Sequence, residues 1–98
     1  MKPLNSLQIP VSSPFSVCNG KSPDELRVLP DNSVDVVITD PPYGLGYNHN
    51  EWDAAVPGPT AWRECYRVEK PGAYLVAFCA KRTSHHLAKA IEDAGFII

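Results

Sequence analysis

The sequence has no apolar run of the roughly 18 residues that a membrane-spanning helix needs, and no basic, apolar leader ending in small residues. Neither a membrane span nor a signal peptide is indicated, and a cytoplasmic location follows by default. Cysteine is scarce: Cys18, Cys65 and Cys79 are odd in number, widely spaced and without a CxxC pair. That argues against a disulfide framework or a paired-cysteine metal site, so reduced thiols are the better reading. No internal repeat and no low-complexity tract occurs, which excludes a repeat array. Charge of neither sign prevails, and a net charge of −2 does not advertise nucleic-acid binding.

What is present suits a folded unit. Apolar residues make up 44% of the 98 and charged residues 20%, too apolar for disorder. A chain this short buries roughly two thirds of its unfolded surface, enough for a modest core. It is one small domain or part of a larger one.

The most informative stretch is Val34 to Gly44, Val-Asp-Val-Val-Ile-Thr-Asp-Pro-Pro-Tyr-Gly. A β-branched run, Val34, Val36, Val37 and Ile38, reads as a strand, and its nearly continuous apolar character is the habit of a central parallel strand buried on both faces. It stops at Asp40-Pro41-Pro42-Tyr43. Proline donates no amide hydrogen and fixes φ near −65°, so Pro41 and Pro42 end the strand and stiffen the chain beyond Asp40.

Around it, residues 1–14 hold Pro3, Pro10 and Pro14 among polar residues and read as an extended arm, leaving 15–98 as the folded part. Phe15 to Cys18 suggests a short strand, and Ser22-Pro23-Asp24-Glu25 a helix start with Ser22 as N-cap. Residues 44–59, with Tyr47 and Trp52, form a loop long enough to be functional. Thr60 is placed to cap a helix carrying Trp62, Cys65, Tyr66 and Val68, which ends before Lys70-Pro71-Gly72. A strand from Ala73 to Phe78 follows. Thr83 or Ser84 caps a last helix with Leu87, Ala88, Ile91 and Ala94 on one side. Gly95 sits where a helix C-cap belongs, and Phe96-Ile97-Ile98 opens a strand. Alternating strands and helices predict an α/β fold with a parallel sheet, ligands gathering beyond the carboxyl ends of the strands.

Taken as chemistry, Asp40 and the Pro41 carbonyl together can accept both hydrogens of a planar amino group, and Tyr43 can stack on the ring bearing it. The competing reading is a proline-terminated strand with Asp40 in a turn and Tyr43 in the core; the buried-strand context favours function. Charge is uneven. Residues 61–98 carry Arg63, Arg67, Lys70, Lys81, Arg82 and Lys89 against four acids, so polyanion contact belongs there. Lys81, Arg82, His85 and His86 cluster beyond the second strand and can meet phosphates, although a solvated helix start explains them as well. Cys79 with His85 and His86 lacks zinc-site spacing.

Val34 to Gly44 resembles the catalytic motif of amino-group DNA methyltransferases, which methylate adenine N6 or cytosine N4. The similarity extends through Leu29 to Asp35, Trp62-Arg63-Glu64 to Arg67-Val68, Lys70-Pro71-Gly72 and Ile91 to Phe96. It implies a Rossmann-like fold dependent on S-adenosylmethionine, here as a partial parallel sheet, and double-stranded DNA as partner. It also implies a flipped target base stacked on Tyr43, with its amine held by Asp40 and the Pro41 carbonyl, and Pro42 completing the motif. Methyl transfer is then a direct displacement with no covalent enzyme intermediate, and no metal is called for. An Asp at the head of the motif is typical of adenine N6 enzymes; cytosine N4 enzymes usually show Ser.

Two departures stand out. Gly20-Lys21 replaces the family's Gly-Asp pair, which leaves Gly20 and Asp40 as the cofactor-side residues. The Phe-x-Gly-x-Gly loop that holds S-adenosylmethionine is absent from the 98 residues. The expectation is an N-terminal fragment, catalytic motif first and inactive alone, whose catalytic strand has an open edge and a bare apolar face. The alternatives are a cytosine N4 fragment and a non-catalytic remnant. DNA contacts are assigned to Tyr47, Lys81 and Arg82.

Overall fold

The computed structural model describes residues 15–49, 51, 55 and 57–98. The proposed arm, residues 1–14, and Trp52 lie outside the described residues. The element order is helix α1 (Ser22–Leu26), strand β1 (Val34–Thr39), a 3-10 turn (Tyr47–His49), helix α2 (Pro59–Val68), strand β2 (Glu69–Ala77), a second 3-10 turn (Lys81–Thr83) and helix α3 (Ser84–Asp93).

β1 and β2 pair in parallel as a two-stranded sheet, with α2 in the connection between them. The register runs Val36 to Tyr74, Val37 to Leu75, Ile38 to Val76 and Thr39 to Ala77, preceded by Val34 opposite Glu69. Between those two stretches residues 70–73 bulge out of the ladder. Gly72 there takes φ 82°, a left-handed conformation open to glycine. Lys70-Pro71-Gly72, expected to precede a strand over Ala73 to Phe78, is thus a bulge inside a strand that runs Glu69–Ala77.

One side of the sheet closes the core. Val37, Leu75 and Ala77 pack with Leu26, Ala94 and Phe96 onto buried Trp62, Cys65, Leu87, Ala90 and Ile91. Each large apolar side chain so buried contributes about 1.5–3 kcal/mol. The indole of Trp62 satisfies its N–H on the Pro57 carbonyl at 3.1 Å. The other side is bare. Val36, Ile38, Tyr74, Val76 and Phe78 are each between 45 and 79% exposed. Paired residues share a face, so β1 is buried on one face and not, as its apolar run suggested, on both.

Arg67 ties the lead-in of β1 to α2. Its guanidinium donates to both Glu64 carboxylate oxygens, at 3.1 and 3.2 Å, and to Asp31 Oδ1 at 2.8 Å. It also donates to the Leu26 and Leu29 carbonyls at 2.9 and 2.8 Å, satisfying acceptors at the end of α1. The Asn32 and Ser33 amides donate in turn to the Arg67 and Val68 carbonyls. These bonds place the start of β1 beside the end of α2, and so fix where Asp40 emerges.

Several expectations are corrected. Phe15 to Cys18 is irregular backbone and Phe96 to Ile98 forms no strand; among the described residues the sheet consists of β1 and β2 alone. The N-caps are Lys21, Gly58 and Thr83, none with a side-chain cap bond, so Ser22 and Thr60 lie inside their helices. Gly95 does follow α3 in a left-handed conformation, φ 119°, its amide donating to the Glu92 carbonyl. Among the described residues no helix is long and apolar enough to cross a membrane.

Candidate functional site

β1 ends at Thr39, and the ladder is carried one step further by the Phe78 amide donating to the Thr39 carbonyl at 3.0 Å. Asp40 therefore leaves the carboxyl end of a paired strand, and Pro41 and Pro42 deny the chain further ladder donors. Asp40 is exposed, while Pro41, Pro42 and Tyr43 are half-buried.

The chain then folds back. The Tyr43 hydroxyl donates to Asp40 Oδ1 at 2.7 Å, so the aromatic ring and the carboxylate meet at the strand end. That bond, joined by burial and by the charges of Asp40 and Cys79, pushes the Tyr43 hydroxyl above its ordinary pKa, since ionising it would lose the donor and set two anions together. Beyond the ring, the Thr83 hydroxyl donates to the Tyr43 carbonyl. Sequence reasoning treated Thr83 only as a cap; a sequence signal for this long-range bond does not exist.

The arrangement offers an acceptor carboxylate, a proline-stiffened backbone and an aromatic ring on one short loop. Its resting state is self-satisfied: an amine entering the site shares or displaces the Tyr43 hydroxyl at Asp40.

The other residues assigned from sequence fall in three places. Lys81 and Arg82 occupy the exposed 3-10 turn that ends at Thr83, the residue bonded to the Tyr43 carbonyl. By contrast Arg67, Lys70 and Lys89 are engaged with Glu64 and Asp31, with Asp35 and with Asp93. Tyr47 is exposed in the turn after the motif, between Gly46 at φ 67° and Asn48 at φ 52°. Gly20 lies at the entry of α1 with the Glu25 side chain packed where a Cβ would stand.

His85 and His86 stack at 3.9 Å between centroids at the start of α3. Among the described residues no group of three His, Cys, Asp or Glu gathers as for a metal. All three cysteines are free, and burial with the nearby Glu69 charge pushes the Cys65 thiol up to about 11, which leaves it inert at neutral pH.

Two known proteins are similar to this chain. A Type II methyltransferase, M.HpaI of Haemophilus parainfluenzae, is 34% identical over 75 residues, covering 69% of this chain and 24% of that protein. The putative methylase YubD of Escherichia coli K12 is 30% identical over 79 residues, covering 74% of this chain and 35% of that protein. No protein-family model matches, and no solved structure matches. The chain thus spans about a quarter to a third of the length of these relatives, and over that span it is related to methyltransferases.

Proposed function

We propose that this chain carries the amine-binding half of a DNA methyltransferase active site, receiving the exocyclic amine of a flipped base, adenine N6 before cytosine N4. The observation that carries the reading is the meeting of the Asp40 carboxylate and the Tyr43 ring at the end of β1, 2.7 Å apart through the tyrosine hydroxyl.

An exocyclic amine is a poor nucleophile because its lone pair is delocalised into the ring. Hydrogen bonds from its two hydrogens to Asp40 and to the Pro41 carbonyl favour a pyramidal nitrogen, which localises the lone pair. Pro42 limits the motion of that carbonyl, and Tyr43 fixes the plane of the base by stacking. Lys81 and Arg82 then lie where a DNA backbone approaching the loop meets positive charge, with Tyr47 as a further contact.

S-adenosylmethionine is the donor that the methyltransferase relationship suggests, and it supplies a methyl group on a sulfonium. The described residues do not fit a cradle for it. Gly20 is closed off by Glu25, and the 98 residues hold no Phe-x-Gly-x-Gly loop. No step is assigned to the donor side.

The reading is tested by Asp40→Ala in the 98-residue chain, titrated with 9-ethyladenine and followed by NMR at the Tyr43 ring. Affinity falls about tenfold or more if the carboxylate binds the amine, as expected for a lost charge-assisted hydrogen bond. Unchanged affinity removes Asp40 from the role.

A second reading, a non-catalytic remnant, is favoured by the bare apolar face of the sheet. Calorimetry with S-adenosylmethionine separates a chain complete on both sides from one that carries the amine side alone. No binding is expected, and clear binding contradicts the reading that the described residues form no cradle for the donor.

A further inference from the structure

Within the loop from Asp40 to Tyr43 the Tyr43 hydroxyl is bonded to Asp40, but the backbone has little to close it. Pro41 and Pro42 have no amide hydrogen, so the loop lacks the donors that close ordinary turns. Past Tyr43 come Gly44 and Gly46, both at positive φ, 75° and 67°, conformations that glycine adopts without strain. The hydroxyl end of the Tyr43 ring is held at Asp40, and the backbone end depends on bonds from other segments.

Two such bonds form. At the near end the Phe78 amide holds the Thr39 carbonyl; at the far end the Thr83 hydroxyl holds the Tyr43 carbonyl. Both donors come from the segment that joins β2 to α3, so the loop is bracketed by one neighbour. Thr83 occupies the N-cap position of α3, where a threonine oxygen ordinarily accepts an amide of the first turn at a gain of about 1 kcal/mol. Here no side-chain cap bond forms. Its hydroxyl hydrogen is directed across 40 residues of sequence to the motif loop instead.

We infer that Thr83 is a positioning residue for the amine receptor, holding the Tyr43 backbone so that the ring and the Asp40 carboxylate face the same base. This rests on the receptor reading for its function, though not for its geometry. Phe78 contributes a backbone donor that any residue supplies, whereas the hydroxyl at position 83 is specific to its side chain.

The test compares Thr83→Val, which keeps shape and removes the hydroxyl, with Thr83→Ser, which keeps the hydroxyl, each in the 98-residue chain. Tyrosine labelled with 13C at Cζ reports the Tyr43 titration, and 9-ethyladenine titration reports the receptor. Thr83→Val releases the Tyr43 backbone, so the ring loses its placement for stacking and base affinity falls about tenfold, while the Tyr43–Asp40 pair loosens and Tyr43 titrates closer to the ordinary value of about 10; Thr83→Ser keeps both near wild type.

A Tyr43 titration unchanged in Thr83→Val overturns the inference, whatever the urea midpoint does, because a purely structural hydroxyl would shift only that midpoint. If the wild-type chain binds no 9-ethyladenine, the receptor reading fails by itself, and the Tyr43 titration still decides the role of Thr83. If valine at position 83 prevents folding, Thr83→Cys supplies the same comparison with a weak donor of similar size.

Discussion

The Tyr43 hydroxyl donates to Asp40 Oδ1 at 2.7 Å, three residues back along the chain, with two prolines between them. The ring that would stack on a base and the carboxylate that would accept its amine are therefore bonded to each other. The contact assembles the ring and the carboxylate at one point, and it also occupies an acceptor that the amine needs.

Removing the hydroxyl alone should release that acceptor. Tyr43→Phe keeps the stacking ring and is expected to bind 9-ethyladenine as tightly as wild type or a fewfold more tightly, whereas Tyr43→Ala loses binding. NMR titration of the two variants gives the comparison. A loss in Tyr43→Phe equal to that in Tyr43→Ala would mean the hydroxyl itself contacts the base.

Glu69 opens β2 at 5% exposure, and its Oε1 has no hydrogen-bond partner among the described residues. Desolvation raises its carboxyl pKa. A carboxyl whose folded pKa lies above its unfolded value binds more protons folded than unfolded, so the contribution of Glu69 to stability is most favourable below its ordinary value of 4.5 and declines as pH rises through the folded pKa. Glu69→Gln removes that decline, and Glu69→Leu should stabilise the chain at pH 7 by about 1–3 kcal/mol. Urea midpoints from pH 4 to 8 check both, and parallel pH profiles for wild type and Glu69→Gln would count against a buried, unpaired carboxyl.

The bare sheet face predicts self-association. Ile38 and Val76 are paired in register and both exposed, on the face that carries Val36, Tyr74 and Phe78. An apolar patch of this kind is rare on a soluble monomer. Ile38→Lys should lower the sedimentation coefficient at high concentration while changing stability by less than about 0.5 kcal/mol, the range typical of surface changes. Ile91→Ala, in the core, should cost about 2–5 kcal/mol.

Local signals in the sequence located most of the scaffold. The Asp40-Pro41-Pro42 stop puts the end of the first strand within one residue of Thr39, and helical spacing found Trp62, Cys65 and Val68 on α2 and Leu87 and Ile91 on α3. The failures share a cause. Whether Phe15 to Cys18 or Phe96 to Ile98 becomes a strand depends on a neighbour to accept its backbone, and whether Val36 and Ile38 are buried depends on a second layer. Periodicity carries neither fact. Arg67 was visible as a residue of the motif continuation, but its five hydrogen bonds join groups up to 41 residues apart and cannot be read from spacing. The same holds at the site. Asp40 and Tyr43 were legible as chemistry, while the Thr83 hydroxyl was assigned to the nearest helix end and serves a distant loop.

The central claim is that Asp40, with the Pro41 carbonyl, binds a base through the two hydrogens of its amine. The most direct measurement is NMR titration of the 98-residue chain with 9-ethyladenine and with its N6,N6-dimethyl analogue, read at the Asp40 carboxyl carbon and the Tyr43 ring. The account predicts that 9-ethyladenine shifts both signals and that the dimethyl base, which has no amine hydrogen to donate, leaves Asp40 unmoved. Equal shifts at Asp40 from the two bases would show stacking without amine recognition and contradict it.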